Sequence, residues 1–69
     1  MDYTYRLKQF RQTHGVTQKQ MAEACDIAER QYWRYEAGQN ELPIRYLIAI
    51  CKHFNISADW LLGLKGESE

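Results

Sequence analysis

Two cysteines and two histidines are the residues that could support metal binding or nucleophilic catalysis: Cys25, Cys51, His14 and His53. None of them belongs to a CxxC or HxxxH spacing, which would bring metal ligands together. Both cysteines lie within apolar patterns, which favours reduced core thiols over a disulfide or a metal pair. The sequence also contains no visible nucleophile–base pair and no glycine-rich phosphate loop. We therefore predict no enzymatic activity, no metal and no cofactor.

The composition is typical of one small folded domain. Of the 69 residues, 45% are hydrophobic, and the chain contains only one Pro and four Gly. A domain of this size buries only about 60% of the surface that its unfolded chain exposes, so its core must be compact. No apolar run approaches the ~20 residues that a membrane-spanning helix needs, and the N-terminus lacks the apolar region of a signal peptide. We expect a cytoplasmic protein without a membrane segment.

The charges balance over the whole chain but not along it. Nine Lys and Arg offset nine Asp and Glu, so no overall positive field attracts nucleic acid. Residues 1–58 nevertheless carry eight basic and six acidic side chains, and acidic residues near the C-terminus cancel the difference. We divide the chain into one domain, residues 1–64, and a short acidic tail, residues 65–69.

Hydrophobic spacing and helix-end signals predict five helices joined by short loops. Thr17 and Ser57 have side chains suited to capping a helix N-terminus, and Pro43 suits the first position of a helix. Gly, or a residue that tolerates left-handed backbone geometry, follows the apolar segments. The predicted helices cover residues 5–14, 18–25, 29–37, 43–54 and 58–62. Short connections between helices favour a compact all-α bundle.

Apolar positions indicate which face of each predicted helix is buried. In the fourth helix, Ile50 flanks an apolar stripe that consists of Ile44, Leu47, Ile48, Cys51 and Phe54. The inward positions of the second and third helices are Met21, Ala22, Cys25, Tyr32 and Tyr35. Each helix then contributes one face to a shared core.

Residues 17–38 contain two predicted helices separated by a tight turn at residues 25–27. Two short helices joined in this way match the helix-turn-helix pattern. The small side chain of Ala22 suits the point at which the two helices cross, and Ile27 is placed to anchor the turn in the core. The pattern by itself fits two helices that only pack together as well as two helices that dock into a partner.

Residues 6–63 as a whole resemble the lambda-repressor-like DNA-binding domain of the XRE/Cro-repressor family. The matching segments are RLKQFR, GVTQKQMAEA, QYWRYEAG and FNISADWLLG. The core positions of the family are kept throughout: Leu7, Phe10, Val16, Met21, Ala22, Ile27, Tyr32, Tyr35, Leu47, Ile50, Phe54, Ile56 and Leu61. The resemblance implies a compact five-helix, all-α fold with its helix-turn-helix at helices 2 and 3. It also implies that helix 3 lies in the major groove of DNA and that the N-terminus of helix 2 contacts a phosphate.

The function implied by the resemblance is sequence-specific, DNA-binding transcriptional regulation. The most specific form of this hypothesis is a repressor of phage or mobile-element type that binds a palindromic operator in double-stranded DNA as a homodimer. The alternative is a protein-interaction module of the same fold, such as an antitoxin or the partner of an antirepressor. No small-molecule ligand is predicted, and the chain is either a minimal stand-alone regulator or part of a larger one.

The resemblance places phosphate contacts at two points of the chain. Gln18 falls on the family's phosphate-binding Gln at the start of helix 2, where its amide and nearby backbone N–H groups can donate to a phosphate oxygen. The other predicted phosphate contacts are Thr17 and Lys19, which flank Gln18, and Gln39 and Asn40 after helix 3, where family members often carry basic residues. Neutral donors release fewer counterions, so we expect modest affinity from one domain, which favours a dimer. The alternative for Gln18 is a solvated residue in the first turn.

The outward positions of helix 3 are the predicted base contacts, and they are occupied by Glu29, Arg30, Trp33 and Arg34. A spacing of four residues places them in two adjacent rows on one side of the helix. Arg30 is the predicted guanine reader, while Arg34 can read a base or clamp a phosphate. Glu29 can accept a hydrogen bond from cytosine or repel a phosphate. Trp33 has three alternatives: contact with a thymine methyl group or a sugar, packing back against Phe10 or the domain edge, or contact with a protein.

The resemblance also marks three positions that bear on how helix 3 is held. Arg11 and Glu36 match a largely buried ion pair between helices 1 and 3, which would keep the reading helix in place. Glu36 is therefore not a catalytic acid. Ala28 stands where the family usually has a Ser or Thr, so helix 3 lacks a cap that is typically worth ~1 kcal/mol.

Homodimerisation would use side chains on the last two helices. Tyr46 and Ala49 are predicted to face outward from helix 4, and Leu62 and Leu64 extend helix 5. A contact there between two copies related by a two-fold axis would place the two reading helices about one turn of DNA apart, ~34 Å.

Overall fold

The computed structural model describes residues 2–64 of the 69-residue chain. Within this part the backbone forms helices and no strands: α1 (Tyr3–Thr13), α2 (Gln18–Cys25), α3 (Glu29–Glu36), α4 (Ile44–Phe54) and α5 (Ala58–Leu62). The five-helix, all-α prediction is confirmed for these residues. The predicted acidic tail, residues 65–69, lies outside the described residues. None of the helices in the described part is long and apolar enough to cross a membrane.

The first helix begins two residues earlier than the apolar spacing predicts. Asp2 is its N-cap, and the carboxylate of Asp2 accepts a hydrogen bond from the backbone N–H of Tyr5 at 3.3 Å. A capping side chain of this kind satisfies a backbone donor that the helix itself leaves without a partner. Apolar positions carry no information about such a cap, so the prediction placed the start too late. The helix also ends one residue earlier than predicted, at Thr13.

The turn between α2 and α3 sets how the two helices meet. Asp26 takes left-handed backbone geometry, with φ of 59° and ψ of 45°, as the sequence predicts. The backbone N–H groups of Asp26 and Ile27 both donate to the carbonyl oxygen of Ala22, which closes the end of α2. Ile27 then packs against the core from this turn. The predicted helix-turn-helix therefore has its turn at the predicted residues.

One side chain from each helix is completely buried in the core. These five are Leu7, Met21, Tyr32, Ile50 and Leu61. The cluster is completed by Ala22, Cys25 and Leu47. Every core position taken from the family resemblance is buried or packs against this cluster. Arg6 of α1 is also buried, and its guanidinium lies 5.4 Å from the ring centre of Trp60 in α5.

The buried face of α4 differs from the predicted apolar stripe. Ile50, predicted at the flank, is fully buried, whereas Ile44 and Ile48 are 69% and 49% exposed. A rotation of about 100° per residue places Ile48 about 160° away from Ile50 around the helix. Because α4 carries apolar residues on both of these sides, spacing alone could not decide which side is buried. Pro43 is the N-cap of α4 rather than its first residue, and the helix begins at Ile44.

Tyr46 and Ala49 do not face outward from α4 as predicted, because both are half-buried. Tyr46 packs against the core, and its ring centre lies 6.0 Å from that of Tyr35. Leu62 and Leu64, the two residues proposed at the end of α5, are exposed at 39% and 71%. The predicted orientation of the two α4 side chains is therefore wrong, and Ile44 and Ile48 are the large apolar side chains that α4 exposes.

Both cysteines are free thiols, which confirms the prediction for them. The Sγ atom of Cys25 is buried and lies 3.8 Å from the carbonyl oxygen of Tyr46, to which it donates. Burial raises the pKa of Cys25 to about 11 and also raises the pKa of Cys51. Thiols with a raised pKa stay protonated at neutral pH and are poor nucleophiles. Among residues 2–64, no group of His, Cys, Asp and Glu is arranged to hold a metal ion.

Candidate nucleic-acid interface

A capping box shapes the N-terminus of α2. The hydroxyl oxygen of Thr17 accepts the backbone N–H of Gln20 at 3.1 Å, and the side-chain oxygen of Gln20 accepts the backbone N–H of Thr17 at 2.8 Å. This exchange satisfies two backbone donors and fixes the direction in which the chain enters α2. Gln18 is half-buried and Lys19 is exposed. Thr17, one of the predicted phosphate contacts, therefore already has a structural role.

The carboxylate of Glu36 connects three helices. Each of its oxygens accepts an N–H of the Arg11 guanidinium at 2.9 Å, so the ion pair expected between α1 and α3 is present and bidentate. The Tyr32 hydroxyl donates to Oε2 at 2.7 Å, and the side-chain amide of Gln18 donates to Oε1 at 3.1 Å. The Glu36 side chain is only 3% exposed and that of Arg11 17%. We call these four side chains the Glu36 cluster.

The hydrogen bonds of the Glu36 cluster keep its charges in place. Burial raises the pKa of Glu36, but the hydrogen bonds that the carboxylate accepts, foremost from Arg11, outweigh burial and bring this pKa below its ordinary value. The hydrogen bond to Glu36 raises the pKa of Arg11. Burial, followed by the bond to Glu36, raises the pKa of Tyr32. At neutral pH the cluster thus contains one carboxylate, one guanidinium and a neutral phenol, and it has no net charge.

The outer face of α3 borders a shallow, open cleft beside the start of α2. Glu29, Arg30 and Trp33 line this α2–α3 cleft together with Gln18, and its volume is about 470 Å³. Glu29 and Arg30 are exposed, and Trp33 keeps 45% of its surface exposed. Three of the four predicted base contacts and the predicted phosphate-binding Gln therefore share one surface.

Trp33 borders the surface that α1 and α2 form beside α3. It lines a second small cleft with Lys8 of α1. The ring of Phe10 packs instead on His14 and Phe54, with ring centres 4.6 Å and 5.5 Å away. One alternative from the sequence was packing of Trp33 back against Phe10 or the domain edge. Phe10 has His14 and Phe54 as its ring partners, whereas the position of Trp33 beside α1 agrees with the domain-edge part of this alternative. The exposed indole is accessible to a partner beside cationic and amide side chains.

Arg34 and the loop after α3 lie apart from the α2–α3 cleft. Arg34 is half-buried, one turn beyond Arg30, and does not line the cleft. The backbone N–H groups of Gln39 and Asn40 donate to the carbonyl oxygen of Arg34 at 2.9 Å and 3.4 Å, which closes the end of α3. Only the exposed side chains of Gln39 and Asn40 are then available for the predicted phosphate contacts.

Lys8 is a cation near the site that sequence reasoning missed. It is exposed on α1 and lines the cleft that also contains Gln18 and Trp33. A signal was present in the sequence, since Lys8 stands three residues before Arg11 and residues at this spacing share a helix face. The face of α1 that places Arg11 against α3 therefore also brings Lys8 to the edge of the site.

The start of α3 has no side-chain cap, as its Ala28 predicts. Glu29 lies in the first turn of this helix, where a negative charge interacts favourably with the helix dipole. Glu29 therefore has a stabilising role that is independent of any contact with cytosine.

The segment that holds these helices matches a known protein family. The sequence pattern that defines the helix-turn-helix family matches residues 7–61, which include parts or all of every helix from α1 to α5. The chain belongs to the helix-turn-helix family. The resemblance to its XRE/Cro-repressor type is confirmed.

Similar helix-turn-helix proteins include three regulators of Bacillus subtilis (strain 168). The uncharacterized HTH-type transcriptional regulator YobD is 34% identical over 97% of this chain and 60% of its own length. The HTH-type transcriptional regulator ImmR is 36% identical over 84% of this chain and 46% of its own length. The SPbeta prophage-derived uncharacterized HTH-type transcriptional regulator YonR is 33% identical over 83% of this chain and 53% of its own length. The chain thus spans 46–60% of the length of these relatives.

A solved structure shares the helix-turn-helix fold. The crystal structure of a transcriptional regulator from Listeria innocua matches with a TM-score of 0.83 and 27% sequence identity. The match covers 96% of this chain and 62% of that chain. The helices that hold the α2–α3 cleft therefore have the same arrangement in both proteins.

Proposed function

We propose that this helix-turn-helix domain is a sequence-specific, DNA-binding transcriptional regulator, with α3 in the major groove and the N-terminus of α2 on the phosphate backbone. The observation that carries the proposal is the α2–α3 cleft, which groups Gln18, Glu29, Arg30 and Trp33 on one open surface. A recognition helix needs base-reading side chains and backbone-positioning donors next to each other, because the second group sets the register of the first.

Each of the four outward side chains of α3 suits a particular contact with DNA. Arg30 can donate two hydrogen bonds to the O6 and N7 atoms of guanine, and Glu29 can accept one from the amino group of cytosine. The exposed ring of Trp33 can pack on a thymine methyl group or on a sugar. Arg34 lies one turn further along α3 and reaches a base or a phosphate at the far end of the contact.

The phosphate contacts of the proposal come from several elements, and of them only Gln18 lines the α2–α3 cleft. They are Thr17, Gln18 and Lys19 at the start of α2, Lys8 on α1, and the side chains of Gln39 and Asn40 after α3. Only the two lysines carry a charge, so few counterions are released on binding. We therefore expect modest affinity from one domain and a shallow dependence on salt concentration.

The proposal includes a homodimer on a palindromic operator and a repressor of phage or mobile-element type acting in the cytoplasm. Two copies present two reading helices, which compensates for the modest affinity of one. Exposed apolar side chains are available for the contact between copies: Ile44, Ile48, Leu62 and Leu64. The prophage-derived relative YonR supports the mobile-element assignment.

Selection of bound sequences from a random duplex pool at low salt tests the proposal. It predicts an enriched palindrome with half-site centres about 10 base pairs apart. Sedimentation of the chain with the selected duplex is expected to show two chains per duplex. Weak, salt-sensitive binding without any enriched sequence would contradict the proposal.

The exposed Trp33 favours a second candidate, a protein-interaction module on the same fold. Trp33→Ala separates the two, with Tyr5→Ala as the matched control because Tyr5 is an aromatic residue of similar exposure, 48%. DNA reading predicts that only Trp33→Ala changes the selected sequence. A protein-docking role predicts that neither variant does and that Trp33→Ala loses a protein partner.

A further inference from the structure

The side chain of Gln18 makes a hydrogen bond that a simple surface contact with phosphate does not require. Its Nε2 atom donates to Oε1 of Glu36 at 3.1 Å, which joins α2 to α3. Glu36 is almost completely buried and is itself held by Arg11 and Tyr32. The amide of Gln18 is thus attached to a group whose position is set by the packing of three helices.

The planar geometry of an amide relates the directions of its two N–H donors. A Gln side chain is planar at its amide, and its nitrogen carries two N–H donors. When one N–H is bonded to Glu36, the direction of the second is fixed relative to it. Gln18 also lines the open α2–α3 cleft, beside Arg30 and Trp33. The second N–H is therefore free to donate to a phosphate oxygen at this surface while the first stays bonded to Glu36.

We infer that Glu36 is a positioning residue for DNA binding, because its carboxylate orients the amide of Gln18 for donation to a phosphate oxygen. The inference rests on the proposed function and adds to it a buried group that makes no contact with DNA. A carboxylate near the backbone would ordinarily repel phosphate. In this cluster the bidentate contact with Arg11 neutralises Glu36, so the carboxylate orders Gln18 without opposing the DNA.

The wild-type chain tests the geometry directly by NMR of its side-chain amides. We expect the Gln18 Nε2 group to show restricted motion, whereas Gln9 and Gln12, which are exposed on α1, move freely in the same spectrum. Addition of a selected duplex should shift one of the two Gln18 protons more than the other. Free rotation of the Gln18 amide, or equal shifts of both protons, would overturn the inference.

Substitutions test the consequence for DNA affinity. Whether affinity rises or falls distinguishes the inference from a purely electrostatic effect. Glu36→Gln removes a negative charge near the DNA, so electrostatics alone predicts tighter binding. The inference predicts weaker binding by roughly tenfold, similar to Gln18→Ala. In both variants the hydrogen bond from the Gln18 amide to the charged phosphate is lost, in Glu36→Gln because the amide is no longer oriented. Glu23→Gln is the matched control, since Glu23 is exposed on α2 and not in the cleft.

The double variant separates positioning from a general structural effect. If Glu36 acts through Gln18, then Glu36→Gln has no further effect on affinity in the Gln18→Ala background, whereas independent effects multiply to roughly a hundredfold. Affinities are compared at a temperature at which circular dichroism shows every variant folded. If Glu36→Gln does not fold, the wild-type NMR result alone decides. A wild-type chain that binds no duplex would overturn the proposed function as well, whereas multiplying effects with intact wild-type binding overturn only this inference.

Discussion

Glu36→Gln removes the charge at the centre of the Glu36 cluster while keeping the size of the side chain. The ion pair with Arg11 is bidentate at 2.9 Å, and the two side chains are 3% and 17% exposed. Breaking such a pair by changing one partner costs about 3–5 kcal/mol, because the remaining charge is left buried without compensation. The other contact of the guanidinium, with the carbonyl oxygen of Val16, is 3.4 Å long and cannot replace the carboxylate.

This cost is large compared with the stability of a small domain. At about 0.05–0.15 kcal/mol per residue, a 69-residue chain has a free energy of unfolding of about 3–10 kcal/mol. A change of 1 kcal/mol shifts the Tm of a domain of this size by about 4–8 °C. We therefore expect Glu36→Gln to lower the Tm by at least about 12 °C.

Thermal unfolding at pH 7, followed by far-UV circular dichroism, measures this effect. The control Glu23→Gln makes the same chemical change at an exposed position, and its effect should stay within about 0.5 kcal/mol. The double variant Arg11→Met/Glu36→Gln should lose less stability than the two single variants together, because it leaves neither charge alone. A Tm for Glu36→Gln that equals that of Glu23→Gln would refute the reasoning.

Three further results are expected from unfolding in urea. Burial acts to raise the pKa of Glu36, but the hydrogen bonds that its carboxylate accepts hold this pKa below the ordinary value in the folded chain. The stabilisation that Glu36 contributes is therefore complete above the unfolded pKa and is lost as the pH falls through the folded pKa, so the difference between wild type and Glu36→Gln should shrink from pH 7 to pH 3. Tyr32→Phe removes the 2.7 Å bond to Glu36 and should cost about 1.5–3 kcal/mol; an unchanged midpoint would show that this bond contributes nothing. Thr17→Ala removes the cap of α2 and should cost about 1 kcal/mol, in contrast to Thr13→Ala at an exposed position in α1.

Local signals in the sequence predicted most of the fold. The cap at Thr17, the left-handed turn at Asp26 and the short loops placed the helix-turn-helix correctly, because each of these features is decided by neighbouring residues. The buried face of α4 was not predictable in the same way. Ile48 and Ile50 are equally apolar, and only the packing of the whole domain decides that Ile50 is buried and Ile48 exposed.

In the candidate site, too, features set by short-range spacing were predictable and tertiary contacts were not. Helical spacing and the family resemblance placed Arg30 and Trp33 on one face of α3, and the structure brings both to the α2–α3 cleft with Gln18. The hydrogen bond between Gln18 and Glu36 joins two helices and has no short-range signal in the sequence. Contacts of this kind become visible only when the tertiary structure places the side chains together.

The central claim, that α3 reads base pairs, is tested most directly by comparing the sequences that wild type and Arg30→Ala select from one random duplex pool. Lys52→Ala is the control, because it removes an exposed positive charge on α4 outside the α2–α3 cleft. The account predicts a palindrome for wild type and Lys52→Ala, and loss of preference at one guanine position in each half-site for Arg30→Ala. Selection of the wild-type sequence by Arg30→Ala, with equal preference at every position, would contradict the account.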